Sequence, residues 1–396
     1  MSQAIPAISI IIPVFNDRHF LEHLLTKLIN SSIELTEIVI VDSSDDLKDY
    51  DLTNFLEKNN KVYILYLRLP PSYAGKSLNL GVNRSSGKLI GFLDTKTYPQ
   101  GDWPYSSIQH IRDNNLDVLF GLTTFEAESN YQKALKATSH GSVGHESVPG
   151  TVVLRESFTN NKGFVENIRA AYDIEWRERI KESTTWDICK SPSCSYANLP
   201  TSFIETVKKY FVYSFHTALV QVNNNLKEVY LSLALILSAL IFPRWNYLIS
   251  GWDNNPFYIA DITKIYLISL VFLGLLLIVI NRLLPKRQSG EIFQVTVKYL
   301  LLLFSVFCVY RWNGVVVDWV ETAALYIPHI TKIYITIICL ISIIYRGLVL
   351  PLRRKEKREF IFPFRWIKVG FLGFILDLVK APGYILGAFI ALVRGF

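Results

Sequence analysis

Four short apolar runs set the terms on which this chain can fold. Ala7 to Val14, Ile38 to Val41, Val62 to Leu67 and the run that opens at Gly87 are aliphatic, largely β-branched, and bounded by turn-forming or charged residues, as strands are. Helical patterns lie between them. Asp17 to Ile29 sets Phe20, Leu21, Leu24, Leu25 and Leu28 on one face, and Ser77 to Arg84 forms a shorter helix before the fourth run. Alternating strands and helices predict a mostly parallel, doubly wound α/β sheet. In such sheets ligands gather at the carboxyl ends of the strands.

The residues at those ends carry the chemistry. The fourth run stops at Asp94-Thr95-Lys96-Thr97-Tyr98-Pro99, which delivers Asp94 to the sheet edge, where an acid suits a metal or a sugar phosphate; a capped turn uses the same residues. The second run stops at Asp42-Ser43-Ser44-Asp45-Asp46, where a carboxylate either accepts hydrogen bonds from a base or ribose or caps a helix. Gly75-Lys76 opens the helix before the fourth strand and adds positive charge where amides already favour an anion, although the spacing of a Walker A loop is absent. Gly150 to Arg155 reads as a further strand. Gly163-Phe164-Val165-Glu166 leads into a charged segment, Arg169 to Lys181, in which Asp173, Glu175, Arg177 and Glu178 have the spacing of a solvated helix face with paired charges.

Taken in order, PVFN, VDSSDD, AGKSLNLG, GFLDTKTYP, PGTVVLR and GFVENIRAAYDIEW resemble the family 2 glycosyltransferases, inverting enzymes of GT-A fold that use nucleotide-activated sugars; the resemblance covers about residues 7 to 215. It implies that Pro13, Phe15, Asn16 and Asp42 hold the nucleotide-sugar donor. It implies that Asp94 stands at the family's Asp-x-Asp motif and binds a divalent metal, Mn²⁺ or Mg²⁺. Lys76 and Lys96 would add positive charge near the diphosphate, Asp173 would be the catalytic base for the acceptor hydroxyl, and Glu166 and Tyr172 would position acceptor or base. The chemistry asks for these types: one carboxylate to take a proton, and a cation to stabilise the departing nucleoside diphosphate. Two positions depart from the family. Lys96 replaces the motif's second acid, and Tyr172 replaces the first acid of the Glu-Asp dyad. An enzyme is the favoured reading, with a non-catalytic nucleotide-sugar-binding component of a glycan assembly complex as the alternative. The QxxRW motif of processive synthases is absent, and Phe364-Arg365-Trp366 comes too late to serve.

The carboxyl half differs in composition. Half of all residues are hydrophobic and the net charge is +7, with the basic excess beside long apolar runs. Runs at about 229–249, 263–284, 293–310 and 331–350 are each near the roughly 20 residues that cross a bilayer, so about four transmembrane helices are expected over 229–350. Before them, a GT-A domain over 1–200 passes into an interfacial amphipathic helix or linker over 201–228, with Lys208, Lys209, Phe211 and Tyr213, a pattern that an ordinary packed helix shares. After them, 351–396 holds a basic segment, Arg353 to Arg358, and an apolar stretch interrupted by Asp377, Lys380 and Pro382 that suits an interfacial or re-entrant helix. Basic residues flank alternate runs, which predicts an integral membrane protein with its catalytic domain in the cytoplasm. Cys189, Cys194, Cys308 and Cys339 lack metal or disulfide spacing, and no signal peptide is evident, in keeping with a reducing compartment. The partners expected are a nucleotide-sugar donor, a lipid-linked or glycan acceptor and membrane lipids, without nucleic acid. His140 and His145, flanking Gly141 and Gly144, lie in a loop that either borders the acceptor site or is merely solvated, and neither is counted as a site residue.

Overall fold

A computed structural model describes residues 8–29, 37–46, 62–220 and 339–394. The chain divides into one unit of Met1–Asn224 with Arg346–Phe396 and a second of Asn225–Tyr345, of which 339–345 are among the described residues. The first unit is built on one sheet. Strands β1 (Ile8–Val14), β2 (Glu37–Asp42), β3 (Ile64–Arg68) and β4 (Leu89–Phe92) are mutually parallel in the spatial order β3-β2-β1-β4. Every residue of β2 is buried, as expected for a strand covered on both faces.

Beyond β4 the direction alternates, so the parallel expectation holds for half of the sheet and the whole is a mixed, GT-A-like α/β sheet. A turn at Asp94 to Thr97 leads from β4 into the short β5 (Thr97–Pro99), which leaves the parallel set for the far edge. β6 (Val118–Phe125) and β7 (His145–Leu154) pair antiparallel, and β7 sits antiparallel against β4. β8 (Trp186–Ile188) and β9 (Cys194–Tyr196) each run parallel to β6, and β9 closes antiparallel on β5.

The helices cover both faces. α1 (Leu21–Ile29) buries Leu21, Leu24, Leu25 and Leu28, and a 3₁₀ turn, Arg18–Phe20, takes up the start that the sequence pattern assigns to the helix. α2 (Ala74–Arg84) begins a turn earlier than its pattern suggests, and α3 (Tyr105–Asn114) lies between β5 and β6. α4 (Asn130–Ser139) is opened by a capping box in which the Ser129 hydroxyl accepts from the Gln132 amide and the Gln132 side chain accepts from the Ser129 amide. α5 (Arg155–Asn160) and α6 (Tyr172–Lys181) follow β7. On that face Phe92, Phe120, Phe158, Phe164 and Trp176 form an aromatic core with ring centroids 4.9–6.1 Å apart.

α7 (Phe203–Leu219) and the C-terminal α8 (Arg365–Arg394) pack on each other along their lengths. Gly383 and Gly387 of α8 lie against the Phe211 and Phe215 carbonyls, an approach any Cβ would block, and the Ser214 hydroxyl donates to the Lys380 carbonyl at 2.7 Å. Leu372 and Leu376 of α8 cover Leu135 of α4. The amphipathic pattern of α7 therefore serves packing within the domain. Among the described residues no helix is long and apolar enough to cross a membrane, and the expected membrane domain finds no support there. The runs at 229–249, 263–284 and 293–310, with the first part of 331–350, lie outside the described residues. His140 and His145 are packed, not solvated: the His140 ring stacks on Phe125 at 3.7 Å, and His145 Nε2 meets the His140 carbonyl at 2.7 Å.

Candidate functional site

The carboxyl ends of β1, β2 and β4 lie side by side, since Val14 pairs with Asp42 and Ile11 with Phe92. Pro13 ends β1 half-buried, and Phe15 beyond it is 43% exposed, free to meet a planar ligand. Asn16 adopts a left-handed backbone, φ 59°, which asparagine tolerates better than most residues. It joins this loop to the end of β2: its amide donates to the Ser44 hydroxyl at 2.8 Å, its side chain donates to Asp45 at 2.8 Å, and it accepts from the Asp45 amide at 3.1 Å.

Asp42 has another setting. Its carboxylate is wholly buried, with Oδ1 against the Ser44 amide at 2.9 Å and Arg68 at 3.0 Å, and Oδ2 against Arg18 at 2.6 Å and the Tyr66 hydroxyl. Burial alone would raise its pKa; the hydrogen bonds from Ser44 and Tyr66 and the Arg18 guanidinium outweigh that and hold it below the ordinary carboxylate value. Asp42 thus braces the loop that would receive a nucleotide. Lys76, in the first turn of α2, is exposed, while Gly75 beside it abuts the Val165 carbonyl; the close approach is to protein backbone.

Asp94 follows β4 at the start of a tight turn in which its amide donates to Thr97 Oγ1 at 2.8 Å and its carbonyl accepts from the Thr97 amide at 2.9 Å. Burial raises its pKa and the nearby Asp17 adds to the rise, while Lys96 opposes it. Lys96 turns back to Asp17 of the loop after β1, with Nζ 2.7 Å from Oδ1 and 5.5 Å from the Phe20 ring centroid. Asp17 is a site acid that the sequence pattern did not reveal.

Asp173 is brought to the same place by the aromatic core. Phe92, two residues before Asp94, and Trp176, three after Asp173, meet edge to face at 5.9 Å, which ties the end of β4 to the first turn of α6. The residue ahead of that helix, Ala171, has φ 67°, a left-handed conformation that costs an alanine about 1 kcal/mol or more. Such strain is commonest where geometry matters for function. Tyr172 packs on Phe164 at 5.7 Å; burial first, then the charges of Asp173 and Asp94, raise its pKa well above the ordinary value, so it stays a neutral donor. Glu166 lies in the loop before α6, not on the helix, and accepts from Asn79 of α2 at 2.9 Å.

The wall opposite is α7. Lys209 lies 5.4 Å from the Tyr196 ring centroid and 5.5 Å from that of Tyr213. Tyr196 pairs with Thr97, and the next residue, Ala197, donates its amide to the Lys96 carbonyl, so Lys209 over the Tyr196 ring stands beside the Asp94–Thr97 turn; burial and then Lys96 lower its pKa, while Asp94 and Glu205 oppose the fall. Burial, Asp94 and Asp173 raise Tyr213 to about 12. The sequence left this helix open between a membrane surface and ordinary packing, since i, i+4 spacing puts both residues on one face without saying what that face meets.

As for a metal, no group of three His, Cys, Asp or Glu residues able to hold one occurs among the described residues. At the expected position Asp94 is a single carboxylate with an ammonium group two residues on, and the nearest added acid, Asp17, is already paired with that ammonium. This donor set does not fit a dication.

The arrangement is that of a mixed α/β domain with acids at the ends of its parallel strands and a carboxylate on the helix that follows the antiparallel pair. Residues 9–176 match the model of Glycosyl transferase family 2. Glycosyltransferase AglE of Haloferax volcanii is 24% identical over 196 residues, 46% of this chain and 64% of that protein. Glycosyltransferase GlyA of Streptococcus pneumoniae serotype 4 is 24% identical over 197 residues, 48% of this chain and 27% of that protein. The chain thus spans less than two thirds of the length of these curated relatives. Among solved structures, S. aureus TarS 1-349 in complex with UDP-GlcNAc has a TM-score of 0.42 at 15% identity, covering 78% of this chain and 92% of that one. Mannosyltransferase PcManGT from Pyrobaculum calidifontis, in complex with GDP-Man and Mn²⁺, has a TM-score of 0.41 at 14% identity, covering 55% and 63%. Both structural likenesses are too loose for a ligand to be transferred.

Proposed function

We propose that the protein is an inverting glycosyltransferase that moves a sugar from a nucleotide-sugar donor to a hydroxyl of a lipid-linked or glycan acceptor at the cytoplasmic face of a membrane. One observation carries the reading: Phe92, two residues before Asp94, meets Trp176, three after Asp173, edge to face at 5.9 Å, within the stretch that matches the family 2 model, which supports a shared site for two acids distant in sequence. Asp173 accepts the proton of the acceptor hydroxyl as its oxygen bonds to the anomeric carbon. The bond from that carbon to the nucleoside diphosphate breaks on the opposite side, and configuration inverts. Tyr172, a neutral phenol, orients the groups around the base by donating a hydrogen bond. Phe15 and the Asn16 loop receive the nucleotide, on a platform that Asp42 braces.

The membrane part of the reading rests on the C-terminal segment. Phe364, just before α8, is 74% exposed, and Ile367, Phe371 and Leu378 of α8 are 46, 54 and 45% exposed at the spacing of one helix side, with the basic residues Arg353 to Arg358 preceding them. An amphiphilic acceptor would be held near such a surface. The test is turnover of a panel of nucleotide sugars by purified full-length protein with membrane lipid extract, for wild type and Asp173→Asn. Transfer that falls by about 10² to 10⁴-fold in the variant supports the base role. Donor binding with no transfer or hydrolysis in either protein favours a non-catalytic binding component, the reading that the Lys96 and Tyr172 departures would suit.

A further inference from the structure

The misfit between Asp94 and a dication has a counterpart in the charges around it. A transferase that releases a nucleoside diphosphate needs positive charge where the leaving group develops its negative charge. In a site built on two carboxylates and a divalent ion, the fixed charges sum to zero before substrate arrives. Here Asp94 and Asp17 supply two carboxylates, and Lys96 and Lys209 supply two ammonium groups. The sum is again zero, reached with the chain's own side chains.

The geometry of the two lysines matches that role. The Asp94–Thr97 turn, closed by the Thr97 hydroxyl accepting from the Asp94 amide and donating to its carbonyl, both at 2.8 Å, fixes Lys96 beside the acid. Asp17 holds its ammonium at 2.7 Å. Lys209 comes from the opposite wall, its stem half-buried and its ammonium over two tyrosine rings, with no carboxylate in ion-pair range among the described residues. An ammonium withdrawn from water with only ring faces for company gains most from an anionic ligand. The anion that the proposed reaction brings is a diphosphate. We infer that Lys96 and Lys209 together carry the positive charge that binds and stabilises the departing nucleoside diphosphate, in place of a divalent cation. The inference rests on the transferase reading and adds to it the source of the leaving-group charge.

The test is calorimetric binding of the five common nucleoside diphosphates to the full chain, in EDTA and in MnCl₂, for wild type, Lys209→Met, Lys209→Arg and Lys96→Met. Wild type is expected to bind one of them in EDTA, with less than about a threefold gain from Mn²⁺. Each methionine variant should lose about tenfold in affinity or more, as befits a charge-assisted contact, and Lys209→Arg should recover most of it. The corresponding nucleoside, which lacks phosphates, should bind wild type and variants alike, which separates a phosphate contact from a collapsed fold. Binding that appears only with Mn²⁺, or that is unchanged in both methionine variants, overturns the inference and leaves the transferase reading standing. Binding of none of the five diphosphates in either medium overturns both.

Discussion

Asp42 shows how a site residue read from sequence can prove to be a brace. Its position at the end of β2 was legible, because an apolar run that stops at an acid is a strong signal; its partners were not, because Arg18 and Arg68 come from other elements. The consequence is measurable. The folded pKa lies below the unfolded value of about 3.9, so the pairing stabilises fully above about pH 5 and is lost as pH falls through the folded value. Wild-type stability in denaturant should decline more steeply below about pH 4 than that of Asp42→Asn. At neutral pH that variant, which leaves two guanidinium groups without their carboxylate, should be less stable by about 3 kcal/mol. The positions of Asp94 and Asp173 in the fold were also legible, one at the end of an apolar run and one in a charged helix. Asp17 and Lys209 were not, since each acquires its meaning from a residue far along the chain.

At the scale of elements, the four parallel strands and α1 follow from local pattern, because burial on both faces demands continuous apolar runs. The antiparallel half was poorly legible. β8 and β9 are three residues each and take their place from β6, not from any periodicity of their own. α7 was legible as a helix but not its surroundings, because an apolar stripe has the same spacing whether it meets lipid or protein. The contact between α2 and the loop before α6 gives an element-scale prediction. A Cβ at Gly75 runs into the Val165 carbonyl, so Gly75→Ala should push α2 from that loop and cost about 1–3 kcal/mol by thermal melting. Asn79, which holds Phe164 and Glu166 from the same helix, would move with it.

For the whole molecule, one compact unit is made from two stretches, 1–224 and 346–396, with the second unit's residues between them in sequence. α8 is part of the core of the first unit. Leu376 is 1% exposed against Leu135, and Leu376→Ala should lower stability by about 2–4 kcal/mol, read as a fall in the melting temperature of the first unit. The discontinuity also orders events during synthesis. At about 5–20 residues per second, the ribosome needs on the order of ten seconds to add the intervening segment before α8 exists. Until then α4 and α7 lack the contacts that α8 makes with them. A chain cut short between α7 and α8 would have every strand of the sheet but none of the α8 contacts to α4 and α7.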